Sequence, residues 1–116
     1  MALATQLSPA QVPPPASDDT VSALQRQVDA APDDFQLRRK LDHALLSGRR
    51  FDEILAMWDA FIEAHPDHAE AHAERSGTHW HAGDPKAAIR DMHKACDLGL
   101  EKACTDVPRM RAKAGL

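Results

Sequence analysis

Apolar residues recur along this chain at helical spacing, and polar or proline residues interrupt them at regular points. Val21, Leu24 and Val28 lie three and four residues apart, which predicts an amphipathic first helix over residues 19–31. The same pattern favours five further helices, over residues 35–47, 51–64, 68–82, 85–98 and 101–113. The third carries the densest apolar face and is expected to be the core helix.

Proline and acidic residues mark the predicted helix ends. Pro32 ends the first helix and Pro66 the third, because proline lacks the backbone N–H that a helix interior needs. Asp34 and Asp67 can accept hydrogen bonds from free backbone amides, so we expect them to cap the second and fourth helices. Pro108 should shorten, delay or bend the sixth helix. The predicted fold class is all-α.

The helices repeat with a period of 34 residues, which superposes Pro32 on Pro66. The same shift aligns three apolar sets: Val21, Leu55 and Ile89; Leu24, Trp58 and Met92; Val28, Ile62 and Cys96. A helix–turn–helix unit of this length cannot bury its apolar stripe alone and does so by stacking on its neighbours. The period therefore predicts antiparallel helical hairpins stacked in an array.

This register resembles the tetratricopeptide repeat (TPR) family. A first unit of residues 35–68 has the family's signature residues at Leu41, Leu45, Trp58 and Pro66. A second unit, residues 69–102, has them at Ser76, Ala88, Met92 and Ala95. Residues 94–104, KACDLGLEKAC, are similar to the related Sel1-like repeats. The resemblance implies a TPR-like α-solenoid fragment of five to six helices, acting as a bacterial-type protein-interaction scaffold.

In that family the first helix of each unit lines a concave groove that binds protein partners. The resemblance places these partner-binding residues there: Gln36, Arg39, His43, Leu46, Glu70, Trp80 and His81. Arg39 and His43, facing Trp80, would offer a fixed cation, a titratable ring and a flat apolar anchor, which suits a peptide or a partner helix. The alternative for Trp80 is packing against the next helix. A small dedicated secretion or assembly chaperone would use the same groove.

Two cysteines flank the last predicted turn. Cys96 and Cys104 lie eight residues apart around Gly99, so they are expected to be close in space. Cysteine-rich Sel1-like proteins use a similar spacing for a disulfide, and the resemblance implies that these two residues can pair. The alternative is a pair of small buried thiols, since cytosolic cysteines usually stay reduced.

Five of the seven histidines fall between residues 65 and 81. His68, His72 and His79 could share a helix face and bind a transition metal, which makes a His-rich metal-binding protein an alternative interpretation. The register gives His72 and His79 packing positions between helices, and the spacing His-Glu-x-x-His does not occur, so no metal site is predicted. None of the carboxylates lies in a catalytic motif, and we predict neither an enzyme nor a cofactor.

Length and charge narrow the remaining choices. A chain of 116 residues with 43% hydrophobic residues suits one domain, which we place at residues 19–116 after a disordered proline-rich tail, residues 1–18. A net charge of −4 without long basic runs argues against nucleic acid. Membrane insertion is not predicted, since no apolar run approaches about 20 residues. The expected location is cytoplasmic, or periplasmic or secreted if a signal peptide was removed. The expected partner is a protein or peptide client, with self-association through apolar end faces as an addition.

Overall fold

The computed structural model describes residues 16–116 and contains six α-helices in that range. They are α1 (Asp18–Ala30), α2 (Phe35–Ser47), α3 (Phe51–Ala64), α4 (Ala69–His81), α5 (Pro85–Asp97) and α6 (Glu101–Ala114). No strand occurs among the described residues, and the predicted all-α fold class is confirmed. The predicted tail lies outside the described residues as far as residue 15. None of the helices in residues 16–116 has the length and apolar character that a membrane crossing requires.

The helix caps follow the 34-residue register. Asp34 accepts a hydrogen bond from the Leu37 amide at 3.1 Å, as predicted. The prediction that Asp67 caps α4 is wrong, because His68 accepts from the Ala71 amide through Nδ1 at 3.2 Å. His68 lies 34 residues after Asp34, so both units begin their first helix at the same position.

Helix α6 continues without interruption through Pro108 to Ala114. The prediction that Pro108 would shorten or delay the helix is therefore wrong. Proline removes one hydrogen bond, to the carbonyl four residues earlier, and that residue, Cys104, is exposed so that water can take its place. Burial of Ala103 and Val107 on the other side of α6 holds the helix to the rest of the domain.

The centre of the core is Trp58 on α3, whose side chain is fully buried. Its ring centroid lies 5.5 Å from that of Phe35 and 6.0 Å from that of Phe61. Its indole Nε1 donates to Asp42 Oδ2 at 2.7 Å, and burial of this carboxyl raises the pKa of Asp42. An aromatic cluster with one buried hydrogen bond thus joins α2 to α3.

The second unit replaces part of this apolar seam with a polar one. The buried positions of Leu41, Leu45 and Met57 in the first unit become Arg75, His79 and Asp91 in the second. Arg75 donates two hydrogen bonds of 2.7 Å to the buried Asp91 carboxylate and a third, of 2.9 Å, to the exposed Asp59. The hydrogen bonds from Asp91 raise the pKa of Arg75. This network ties α3, α4 and α5 together.

Arg38 and His72 occupy equivalent positions in the two units and hold equivalent carbonyls. Arg38 Nε donates to the Pro32 carbonyl at 3.0 Å, and His72 Nε2 lies 2.8 Å from the Pro66 carbonyl. Both side chains are buried, and they anchor each first helix to the turn that precedes it. His72 therefore has the packing position between helices that the register gave it.

The last turn is closed by a disulfide between Cys96 and Cys104, whose Cα atoms lie 4.7 Å apart. The bond links the end of α5 to the first turn of α6, so the two residues meet as the turn at Gly99 implied. The left-handed backbone of Gly99, with φ of 102°, lets the chain reverse between them. Oxidation of this pair in solution stays a prediction, which thiol counting tests.

The outer faces of the two terminal helices are polar rather than apolar. Helix α1 exposes Ser22 and Asp29, and α6 exposes Thr105. Among residues 16–116, the exposed large apolar side chains are Leu46 and Leu116. Self-association through apolar end faces stays a prediction, and these surfaces do not favour it.

Candidate functional site

An open recess of about 420 Å³ lies between α4 and α6, the first helix of the second unit and the helix that follows it in the same register. Its lining residues come from three helices: Ser76, Gly77, Trp80 and His81 of α4, Met92 of α5, and Asp106, Arg109, Met110 and Lys113 of α6. The volume falls in the range of pockets that take a small ligand or a side chain.

The walls of this first recess are apolar and adaptable. Trp80, Met92 and Met110 are all partly exposed there, so their apolar surface is open to a ligand. Methionine is unbranched and polarizable, and it can adjust to an incoming group. The indole of Trp80 adds a flat surface of the kind that commonly anchors protein partners.

Charged groups surround the mouth of the first recess. Arg109 Nη2 donates to Asp106 Oδ1 at 2.8 Å, which pairs these two charges. Within residues 16–116, no carboxylate lies within 4.0 Å of Lys113. Lys113 is in the last turn of α6, where it also complements the partial negative charge of the helix C-terminus.

A second recess of about 310 Å³ adjoins the first toward the N-terminal ends of the same helices. Its lining is Arg39, Glu70, Ala73, Glu74, Gly77, Met92, Leu100, Lys102, Ala103 and Asp106. Arg39 Nε lies 3.2 Å from Glu74 Oε1. Burial raises the pKa of Glu74, although the positive charge of Arg39 acts in the opposite direction. This recess is polar where the first is apolar.

Gly77 belongs to both recesses and lies in the middle of α4. A Cβ atom added at Gly77 would meet no other heavy atom within 4 Å, so packing within the chain does not require glycine there. Glycine inside a helix costs roughly 0.5–1 kcal/mol relative to alanine. The two recesses are therefore joined at a point where the helix presents bare backbone.

The predicted partner-binding residues divide between these recesses. Trp80 and His81 line the first, and Arg39 and Glu70 line the second. The other three predicted residues, Gln36, His43 and Leu46, lie on α2 and line neither recess. Trp80 borders the α6 side of the groove, where we had expected it to face Arg39 and His43. The binding role of all seven stays a prediction.

Sequence reasoning did not select Met92, Asp106, Arg109, Met110 and Lys113, which complete the first recess. A family rule for the concave face marks positions on the first helix of each unit and does not reach the second helix or the closing helix. One signal was available in the sequence. Met110 is a large apolar residue near the end of an otherwise polar helix, which is unusual unless something covers it.

The histidines considered as metal ligands point to different tasks. His68 caps α4 through Nδ1, His72 holds the Pro66 carbonyl, and His79 Nε2 lies 3.7 Å from Asp91 Oδ2. In the part of the chain that the structure describes, no three His, Cys, Asp or Glu side chains are placed to hold a metal ion. No metal site is proposed from these residues.

Solved structures with the same arrangement of helices exist. MamA RS-1 ArsTM double mutant matches with a TM-score of 0.67 at 20% sequence identity. MamA 41-end from Desulfovibrio magneticus RS-1 matches with the same TM-score and identity. Each match covers 84% of this chain and 56% of the MamA chain, so this chain spans little more than half of their length.

No protein-family profile matches this chain, and no curated protein matches it. At 20% identity, the likeness to MamA shows the fold alone. The similarity to Sel1-like repeats stays a prediction. The chain has an all-α helical-repeat fold of the TPR-like type.

Proposed function

We propose that this chain is a non-catalytic protein-interaction module that binds a segment of a partner protein in the groove formed by the two adjoining recesses. The observation that carries the proposal is the cluster of Trp80, Met92 and Met110, three large apolar side chains that remain partly exposed in one recess. Exposed apolar groups that converge in a concave site are characteristic of ligand and partner binding.

The TPR-like fold supports the same proposal, because helical-repeat proteins use the side of the array as an extended binding surface. The charged second recess would contribute specificity rather than most of the affinity. Arg39, Glu70, Glu74 and Lys102 are placed to pair with polar groups of a ligand, and polar contacts at the edge of an interface mainly select among partners.

A random-peptide display library tests this proposal without knowledge of the natural partner. Selected clones would be measured again on Trp80→Ala and on Leu46→Ala. Leu46 is an exposed apolar residue of α2 outside both recesses, so its removal is the matched control. We expect about tenfold weaker binding to Trp80→Ala and unchanged binding to Leu46→Ala, since an apolar anchor residue is worth about 1–2 kcal/mol or more.

The opposite pattern would move the site. Clones that bind Trp80→Ala as well as they bind the native chain would show that the recess between α4 and α6 is not the binding site. Loss of binding in Leu46→Ala alone would place it on the exposed face of α2.

A further inference from the structure

The two repeat units differ in how they fill the space beside α4 and its counterpart α2. Three residues of the first unit, Asp42, His43 and Trp58, correspond after 34 residues to three smaller ones, Ser76, Gly77 and Met92. In the first unit Trp58 is fully buried, whereas Met92 at the equivalent position is partly exposed. The first recess thus lies where the second unit has lost the volume of an aromatic side chain.

The groups around this recess share a preference for an aromatic partner. Trp80 can stack with another ring or meet it edge to face. The thioethers of Met92 and Met110 make favourable contacts with aromatic rings, and the cations Arg109 and Lys113 can lie over a ring face. An aliphatic side chain would fill the space but would gain none of these interactions.

An acceptor for a polar hydrogen is also present. In the first unit the indole Nε1 of Trp58 donates to Asp42 Oδ2 at 2.7 Å. The carboxylate available in the first recess is that of Asp106, whose Oδ1 accepts from Arg109 and whose side chain is partly exposed. A carboxylate has room for several donors, so Asp106 can also accept from an indole N–H or a phenol O–H.

On these grounds we propose that the first recess binds a tryptophan or tyrosine side chain from an extended segment of a partner protein. The inference rests on the proposed function and adds the chemistry of the anchor. The ring takes the volume that Trp58 fills in the first unit, lies against Trp80, Met92 and Met110, and donates to Asp106.

The shape of the groove favours an extended segment over a helix. A docked amphipathic helix needs several apolar contacts one turn apart, but the second recess is lined largely by charged groups. From Trp80 to Ala73 the helix axis advances roughly 10 Å, which about three residues of extended chain span. Such a segment would cross the bare backbone at Gly77 and place a polar residue beside Arg39 and Glu74.

The test uses the two tryptophans of the native chain as reporters. Isotope-labelled protein would be titrated at millimolar concentration with blocked pentapeptides of sequence Gly-Ser-X-Ser-Gly, in which X is Trp, Tyr, Phe, Leu or Ala. The indole N–H signal of Trp80 should move with the Trp, Tyr and Phe peptides. The signal of Trp58, fully buried and bonded to Asp42, should stay unchanged and is an internal control.

The order of affinities is the quantitative expectation. The Tyr peptide should bind about three- to tenfold more tightly than the Phe peptide, because one hydrogen bond to a carboxylate distinguishes them. In Asp106→Ala this difference should disappear while the Phe peptide binds as before. The Leu peptide should bind at least about threefold more weakly than the Phe peptide, and the Ala peptide should not bind.

Two variants separate binding from folding. Gly77→Gln places a side chain in the groove and should abolish binding, while the open space around its Cβ leaves the fold intact. Ala60→Gln adds the same side chain to an exposed site on α3 outside both recesses and should bind like the native chain.

The inference is overturned if the Leu peptide binds as well as the Phe peptide, if no peptide moves the Trp80 signal, or if Gly77→Gln binds normally. Failure of this inference is distinguishable from failure of the proposed function. Display-selected peptides that depend on Trp80 but lack an aromatic residue would refute the aromatic anchor and leave the interaction groove in place. Selected peptides that ignore Trp80 would refute both.

Discussion

The polar network in the second unit allows a sharp test, because the first unit supplies its apolar counterpart. Arg75 makes two hydrogen bonds to Asp91, and the side chains of these residues are 22% and 10% exposed. Replacing Arg75 by leucine, the residue at position 41 of the first unit, leaves the Asp91 carboxylate buried without its main partner. Breaking a buried ion pair from one side costs about 3–5 kcal/mol, and the partial exposure of Arg75 puts our expectation near 3 kcal/mol.

The double variant Arg75→Leu with Asp91→Met removes both charges and recreates the pair formed by Leu41 and Met57. We expect it to recover most of the loss, to within about 1 kcal/mol of the native chain or above it, since well-packed apolar groups often replace a buried ion pair without cost. Against a total stability of about 5–15 kcal/mol, a 3 kcal/mol difference is readily measured.

Urea denaturation followed by far-UV circular dichroism measures the free energy of unfolding of the native chain, both single variants and the double variant. Asp59→Asn is the control, because Asp59 is 62% exposed and its bond to Arg75 should contribute less than about 1 kcal/mol. A loss below about 1 kcal/mol in Arg75→Leu, or a double variant less stable than the single one, would refute this account of the network.

Three further predictions follow from burial, chain entropy and helix propensity. Burial raises the pKa of Asp42, so the folded state holds this proton more readily than the unfolded state and loses stability as pH rises through the folded pKa; Asp42→Asn, which keeps an acceptor for Trp58, should therefore gain on the native chain between about pH 4 and pH 7 in urea midpoints. Changing Cys96 and Cys104 together to serine should lower the unfolding free energy by about 2–3 kcal/mol, and the denatured native chain should show no free thiol before reduction. Gly77→Ala should raise stability by about 0.5–1 kcal/mol in the same denaturation assay.

Each of these has a contrary outcome. Asp67→Asn changes an exposed carboxylate and is the control for Asp42→Asn; equal behaviour of the two variants with pH would remove burial as the cause. Two free thiols in the denatured native chain would show that the cysteine pair is reduced in solution. A destabilised Gly77→Ala would mean that the space above that residue is not open.

The local pattern of the sequence was sufficient for the helices and their order. Helix bounds depend on apolar spacing and on breakers such as Pro32 and Pro66, which act within a few residues, so these were predicted to within a residue or two. The cap of α4 was missed because Asp67 is the usual type of capping residue, whereas the register places the cap at His68. Pro108 was misread because the cost of a proline depends on whether water can satisfy the carbonyl it leaves free.

The sequence by itself determined an all-α array with a 34-residue period, because periodicity and helix propensity are properties of neighbouring residues. Tertiary structure alone decided which residues share a recess. Met92 and Met110 are on different helices and meet Trp80 through the packing of α4, α5 and α6, which no local pattern encodes. Likewise, the swap from Leu41 and Met57 to Arg75 and Asp91 reads in sequence as an imperfect repeat. Folding brings the two charges within 2.7 Å, and burial makes that distance count.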